Sequence, residues 1–175
     1  MVIRQEKERD YPKVFQTIEE AFRNLEYSDH QEHFLVERLR KSNAFIPELS
    51  LVAEADDKIA GHILFTKITI ENGQESFESL ALAPVSVQPD FQHQGIGGKL
   101  IEKGHDIARQ LGYQSVILIG HENYYPKFGY KKTTNFGISF PFDIPEENGM
   151  AIELVKDGLK DVKGVVRYPK EFGID

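Results

Sequence analysis

The sequence predicts a single α/β (α+β) domain spanning residues 1–175. Its centre is a mixed, mostly antiparallel sheet with one parallel strand pair that splays apart, and about four helices surround it. Three observations carry this. Apolar residues recur at helical spacing in two stretches near the start. A series of β-type runs separated by tight turns follows, from Leu49 to Val87. Strand, helix and strand then succeed one another between Leu80 and Gly120, the pattern of a parallel pair with a right-handed crossover.

The elements are justified in order. Asp10 can cap a first helix reaching about Tyr27, Pro12 suits its first turn, and Val14, Phe15, Ile18, Ala21, Phe22 and Leu25 line one face. Ser28 or Asp29 can cap a second helix with Phe34, Leu35 and Leu39 on its apolar side, and Pro47 ends that region. Leu49–Ala55, Ile59–Ile70 and Phe77–Val87 read as a three-stranded antiparallel meander. Asp56-Asp57-Lys58 and Asn72-Gly73 form its turns, the second as a type I′ signal. Gly97–Leu111 is helical and Gly112 stops it. Ser115–Gly120 is an apolar run suited to a strand buried on both faces. A short helix over Glu122–Phe128 precedes Gly129, and further strands lie near Ile138–Phe140, Ala151–Leu154 and Val165–Tyr168.

Composition narrows the function. Lys plus Arg total 21 against 28 Asp plus Glu, a net charge of −7, which disfavours nucleic acid and anionic membrane surfaces. With no cysteine, disulfides, thiolate metal sites and cysteine nucleophiles are excluded. The histidines show no metal spacing beyond His30 and His33, which read as the solvated face of a helix, so no metal is expected. The opening Met1–Lys7 has no apolar signal region and no run has the roughly 18 apolar residues of a membrane helix, so a cytoplasmic protein is expected.

The chemistry concentrates between Leu80 and Tyr130. Gln92-His93-Gln94-Gly95-Ile96-Gly97-Gly98 turns a strand into a helix, and glycine there lets the backbone approach a ligand closely. Free amides and the positive helix end make an anion site for phosphate or pyrophosphate; the alternative is a turn with a packing role only. The Walker pattern fails because position 93 is His and Leu100 follows Lys99. The dinucleotide pattern fails because the glycines stand at 95, 97 and 98 after an antiparallel meander. Pro84 lies inside a strand expected to be central, where it marks either a splayed pair open to an extended ligand or a sheet edge.

The pattern Val87-x-Pro89-x-x-Gln92-x-x-Gly95-Ile96-Gly97-x-x-Leu100 resembles the acetyl-CoA-binding motif of the GNAT N-acetyltransferase superfamily. Tyr124-Tyr125-Pro126-Lys127-Phe128-Gly129-Tyr130 resembles its Tyr-x-x-x-Gly-Phe segment, and the order of elements agrees over nearly the whole chain. Pro141-Phe142-Asp143-x-Pro145 and Gly164–Pro169 look like a bacterial subfamily of predicted N-acetyltransferases. The resemblance implies acetyl-CoA as co-substrate. Amides of Gln92, His93, Gln94, Gly95, Ile96, Gly97 and Gly98 would hold pyrophosphate, and the backbones of Val85 and Val87 would pair with pantetheine. Tyr125 would be the general acid that protonates the departing thiolate. Two departures stand out: Leu118 occupies a position where the family often has Asn, and Gln92 one where it often has Arg.

The general base stays open among His121, Glu122 and His62. The resemblance implies direct acetyl transfer to a primary amine of a small molecule or peptide, and a homodimer is left open. The alternative is a catalytically silent acyl-CoA-binding or sensor module. Acceptor specificity would come from Leu25–Gln31 and from the turns near Phe136–Asn148.

Overall fold

The computed structural model describes residues 1–174. By contacts the chain divides into two compact units, Met1–Thr66 with Ala83–Ile107 and Lys67–Leu82 with Ala108–Asp175.

The first unit holds β1 (Val2–Gln5), α1 (Tyr11–Phe22), α2 (Glu32–Arg40) and β2 (Phe45–Ala55). It also takes the start of β3 (Lys58–Asn72), the end of β4 (Glu75–Val87) and most of α3 (Ile96–Gln110). Strands follow one another in the order β1-β2-β3-β4. β2 pairs antiparallel with β1, from Val2↔Glu54 to Gln5↔Leu51, and with β3, from Ser50↔Leu64 to Ala55↔Lys58. The two-residue turn with both positions left-handed is Asp56-Asp57 (φ 52° and 59°). At Asn72-Gly73 only Gly73 is left-handed (φ 62°), so the type I′ geometry sits at the other hairpin.

Strand β1 was not foreseen, because its sequence Val-Ile-Arg-Gln carries no apolar alternation. It is an edge strand, where charge is tolerated. Arg4 anchors it: the guanidinium donates to both Asp10 carboxylate oxygens at 2.7 and 2.9 Å and to Glu54 at 2.9 Å. Asp10 therefore does not cap α1 with its side chain; the carboxylate accepts from Arg4 and from the Lys7 amide at 2.8 Å. Those donors hold its pKa below the ordinary carboxylate value, the Arg4 hydrogen bonds contributing most.

Helix α1 ends at Phe22, not near Tyr27. Ser28 and Asp29 shape the turn before α2 instead of capping it, Asp29 accepting the Gln31 amide at 2.9 Å. The buried face of α2 is His33, Val36 and Leu39, while Phe34 is exposed, so the apolar stripe is rotated from the expected one. Pro47 lies inside β2 at a register shift between Phe45 and Ser50 and does not end the element.

Helix α3 packs on β3 through two missing side chains. A Cβ at Gly104 would stand 2.2 Å from the Phe65 ring, and one at Gly61 would stand 2.8 Å from the Ser86 carbonyl and 3.1 Å from Leu100. Leu100, Ile101 and Phe65 are fully buried there.

The second unit is built on β5 (Ser115–Ile119), β6 (Lys131–Lys132), β7 (Ile138–Ser139), β8 (Gly149–Glu153) and β9 (Gly164–Arg167), with the adjoining parts of β3 and β4. β4 and β5 are the expected parallel pair, in the register Leu80↔Val116 and Ala81↔Ile117. β5 runs antiparallel to β8, β8 to β6, and β9 to β3. Ile70, Ala81, Ile117, Ile138, Ala151 and Val166 form the middle of its core. Gly112 (φ 92°) closes α3 as expected: its amide bonds Arg109 O at 3.0 Å and that of Tyr113 bonds Ala108 O at 3.0 Å. The expected helix at Glu122–Phe128 is instead a four-residue 3₁₀ turn, Tyr125–Phe128, with Pro126 at its start and Gly129 (φ 102°) at its end. A helix begun at Glu122 would need the amide of residue 126 to bond back to the carbonyl of Glu122, and proline has none. Three α-helices, not about four, are therefore present among the described residues. None of them is long and apolar enough to cross a membrane.

Gly104 gives the fold its test. Ala is the better helix former by roughly 1 kcal/mol, but its methyl would collide with a fully buried ring, and overpacking typically costs about 1–3 kcal/mol. Gly104→Ala should lower the urea midpoint without changing the slope of the transition; an unchanged or higher midpoint would show that Phe65 moves aside freely.

Candidate functional site

In the first unit, β4 delivers the chain to the glycine turn. Along its end Val85 and Val87 are partly exposed while Pro84 and Ser86 are buried. The Gln88 amide donates to Ala60 O on β3 at 2.8 Å. Main-chain groups alternate sides along a strand, so those of Val85 and Val87 face away from β3. That is the orientation an extended amide-bearing ligand requires.

The turn itself is exposed from Gln92 to Gly95 and then drives Ile96 into the core. His93 (φ 64°) and Gly95 (φ 79°) are both left-handed, with Gln94 between them. Backbone of this kind presents successive N–H groups on one concave side. The helical ladder of α3 begins with Lys99 N–H bonding Gly95 O at 3.1 Å, so the amides of Ile96, Gly97 and Gly98 precede it, at the positive helix end. A Cβ at Gly95 would meet no atom within 4 Å, leaving that side of the turn open to approach. Gln92 acts structurally: its Nε2 donates to Val87 O at 3.1 Å and closes the turn on its own strand. The turn thus carries a set of main-chain amides available to an anion.

Tyr125 and His121 lie in the second unit. Tyr125 opens the 3₁₀ turn, and its ring lies where a Gly120 side chain would be, 2.3 Å from the would-be Cβ. The ring meets Tyr124 edge-on at 5.0 Å and Tyr130 at 5.8 Å. Tyr124 packs on Phe128 and under the Lys127 ammonium, 4.2 Å from its ring, and burial raises its pKa. Asn148, which sequence reading overlooked, ties the strand end together. Its Nδ2 donates to Gly120 O and to Glu122 Oε2, both at 3.0 Å.

The candidate bases differ sharply in setting. His121 is exposed, and its Nδ1 accepts the Asn123 amide at 3.1 Å, so that lone pair is engaged. Glu122 holds its pKa below the ordinary value through its own backbone amide first, with His121 and Asn148 contributing. His62 is fully buried in the first unit. Its Nε2 lies 3.0 Å from Ser50 Oγ, whose hydroxyl donates to Glu6 at 2.6 Å. With the Ser50 proton so committed, His62 carries its own proton on Nε2. Its Nδ1 is buried with no partner. Arg40 pairs with the same Glu6. Burial pushes His62 down to about 4; Glu6 opposes that and Arg40 adds to it.

His33 also departs from expectation. It is 6% exposed, not on a solvated face, and its ring meets Phe15 edge-on at 4.6 Å. His30 is exposed, as expected.

A family model for an acetyltransferase (GNAT) domain matches residues 2–133. "Uncharacterized N-acetyltransferase YjhQ" of Escherichia coli (strain K12) is 39% identical over 115 residues, 65% of this chain and 64% of that protein, so the match spans under two thirds of its length. "Uncharacterized N-acetyltransferase YhbS" of the same organism is 26% identical over 173 residues, 98% of each chain. The crystal structure of Escherichia coli YhbS in complex with CoA superposes with a TM-score of 0.87 at 25% identity, covering 98% of this chain and 91% of that one. A GNAT family acetyltransferase from Brucella melitensis in complex with acetyl-CoA superposes with a TM-score of 0.78 at 34% identity, covering 98% and 97%.

His62 generates a pH prediction. Its folded pKa, about 4, lies below the ordinary value of 6.5, so the unfolded chain takes up the proton first as pH falls. The contribution is fully present above about pH 6.5 and is lost progressively toward pH 4, amounting to about 3 kcal/mol at roughly 1.4 kcal/mol per pKa unit. Denaturant midpoints measured from pH 7.5 to 4.5 should fall in that window, and His62→Gln should flatten the fall. A wild-type profile flat across it would mean that His62 is charged in the folded protein.

Proposed function

The chain belongs to the GNAT acetyltransferase family, and on that premise we propose that it transfers an acetyl group from acetyl-CoA directly to a primary amine of a small molecule or peptide. By class it is an acyltransferase. The observation that carries the reading is the left-handed turn at His93 and Gly95 running into the unladdered amides at the start of α3. Main-chain amides are offered there, and they suit a diphosphate, whose charge is spread over several oxygens. CoA in the YhbS complex and acetyl-CoA in the Brucella melitensis complex support acetyl-CoA as the ligand. We read residues 1–175 as one catalytic domain working in the cytoplasm.

Acetyl-CoA supplies the activated thioester. The chain's own residues divide the remaining work. Amides along Gln92–Gly98 hold the pyrophosphate, those after Gln92 carrying the contact because the Gln92 amide already donates to Pro89 O at 3.3 Å, and Val85 and Val87 present their backbones to the pantetheine. The Tyr125 phenol donates a hydrogen bond, then its proton, to the departing sulfur, which makes it the general acid. Its support is positional: Gly120 leaves room for the ring, and Tyr124 is held elsewhere by Phe128 and Lys127. With no cysteine in the chain, no thiol can carry the acetyl group, which agrees with direct transfer.

Gly97 offers the cleaner binding test, because a side chain at Gly95 would strain a left-handed residue whatever the ligand. Calorimetry should find CoA at least tenfold weaker on Gly97→Val, roughly 1.4 kcal/mol. Unchanged affinity in a folded variant would remove the pyrophosphate assignment.

Tyr125→Phe keeps the ring and loses one hydroxyl. It should lower turnover by about 10², the low end for general acid catalysis because a thiolate leaves readily, while acetyl-CoA affinity stays nearly intact. Tyr124→Phe should do far less. If Tyr124→Phe alone slows turnover, the acid has been assigned to the wrong tyrosine; if neither does, the silent acyl-CoA-binding module is favoured.

A further inference from the structure

Tyr130 stands where the Tyr-x-x-x-Gly-Phe segment has phenylalanine, and it is 2% exposed. A phenyl ring would fill that place as well, without the cost of taking a hydroxyl out of water. The hydroxyl therefore calls for a role other than packing, and its surroundings in the second unit indicate one.

A short reversal brings Tyr130 back against Tyr125. Tyr125 opens the 3₁₀ turn Tyr125–Phe128, which the Gly129 amide closes on Pro126 O at 3.0 Å. Gly129 is left-handed (φ 102°), and a Cβ there would stand 3.2 Å from Ile152 on β8, so the reversal is made tight against the sheet. Tyr130 then leads into β6, where Lys131 pairs with Ala151 of β8. Its backbone is thereby fixed by the sheet, while Tyr125 on the turn keeps part of its surface exposed. The two rings meet edge-on, with 5.8 Å between centroids and 76° between planes.

The two phenols are also electrically coupled. Burial first, and then the charge that Tyr125 takes on, push the Tyr130 phenol well above the usual tyrosine value. Of the pair, the more exposed Tyr125 gives up its proton and Tyr130 retains its own. Charged groups at this corner are the exposed Lys127, Lys131 and Lys132, with Glu153 on β8 accepting the Leu159 amide at 3.0 Å. We propose that Tyr130 is a positioning residue for the general acid: its ring sets the Tyr125 ring, and its hydroxyl dipole steadies the charge left on Tyr125. This rests on Tyr125 being that acid. In the step concerned, the Tyr125 O–H bond breaks and an S–H bond forms as the thioester C–S bond gives way. Tyr125, left as a phenolate, regains a proton from water, which its partial exposure admits.

Tyr130→Phe removes one oxygen and keeps the ring. The readout that needs no catalysis is the titration of Tyr125 in the full chain, followed by NMR of carbon-13 at tyrosine Cζ and assigned by the signal missing from Tyr125→Phe. Loss of the dipole should raise the pH at which Tyr125 titrates by about 0.7 unit, a fivefold change. Thiol release from acetyl-CoA, with water as acceptor, gives the second readout. Its kcat should fall about fivefold on Tyr130→Phe with KM for acetyl-CoA unchanged, and should fall no further when Tyr130→Phe is added to Tyr125→Phe. An unshifted or lowered Tyr125 titration overturns the proposal. So does a loss on Tyr130→Phe that persists in the Tyr125→Phe background, the mark of a packing defect. If the titration shifts as expected but Tyr125→Phe releases thiol at the parent rate, the contact stands and the general-acid reading falls. If Tyr125→Phe slows release while Tyr130→Phe neither slows it nor shifts the titration, the acid stands and the role of Tyr130 falls.

Discussion

The close seating of α3 on β3 is the constraint on which the candidate phosphate site depends. It exists because side chains are missing at Gly61 and Gly104: a Cβ at either would run into the Ser86 carbonyl or the Phe65 ring. Close-packed interiors transmit such collisions instead of absorbing them. With the helix held down by Ile96, Leu100 and Ile101, its first turn is fixed relative to the end of β4, and the left-handed residues His93 and Gly95 bridge the short distance left. The amides are thereby oriented before any ligand arrives, which is the general route to affinity without added contacts.

A second constraint holds the same unit from the other side of β3. Glu6, Arg40, Ser50 and His62 form a buried polar group in which one carboxylate is shared by a guanidinium and a serine hydroxyl. Such groups are weak evidence for net stability, since desolvation offsets most of the attraction, but removing one member leaves the others unpaired. His62 stays neutral inside it chiefly because burial removes the water that would solvate its charge; Glu6 works against this and Arg40 adds to it. A histidine so enclosed has no exposed surface through which to reach an acceptor.

The two proposed roles would be built differently in this chain. Anion binding uses the backbone, so it needs conformational freedom and a helix end and little else. Proton donation uses a side chain, so it needs a ring in a defined place. Tyr125 obtains that place from Gly120, where the absence of a Cβ lets the phenol ring lie against the strand end, and Asn148 braces the same strand end through Gly120 and Glu122. Neighbouring aromatics then distinguish Tyr125 from Tyr124, which is packed against Phe128 and Lys127.

What could be read from the sequence alone was whatever depends on short range. The parallel pair of β4 and β5, a helix over Gly97–Leu111 (found at Ile96–Gln110) with its stop at Gly112, and the glycine turn at Gln92–Gly98 all follow from local glycine spacing and hydrophobic period. The spacing of Tyr125 to Gly129 was legible for the same reason, although Pro126 made a 3₁₀ turn of the expected helix. Tertiary structure alone decided the histidines. His33 is buried because Phe15 comes to it from another helix, and His62 sits beside Ser50, whose hydroxyl donates a hydrogen bond to a glutamate 44 residues away. Edge strand β1 was hidden likewise, its polar sequence making sense only once Arg4 reaches Asp10 and Glu54. Burial of a polar group is a property of its partners, and partners distant in the chain leave no period or spacing in the sequence around it.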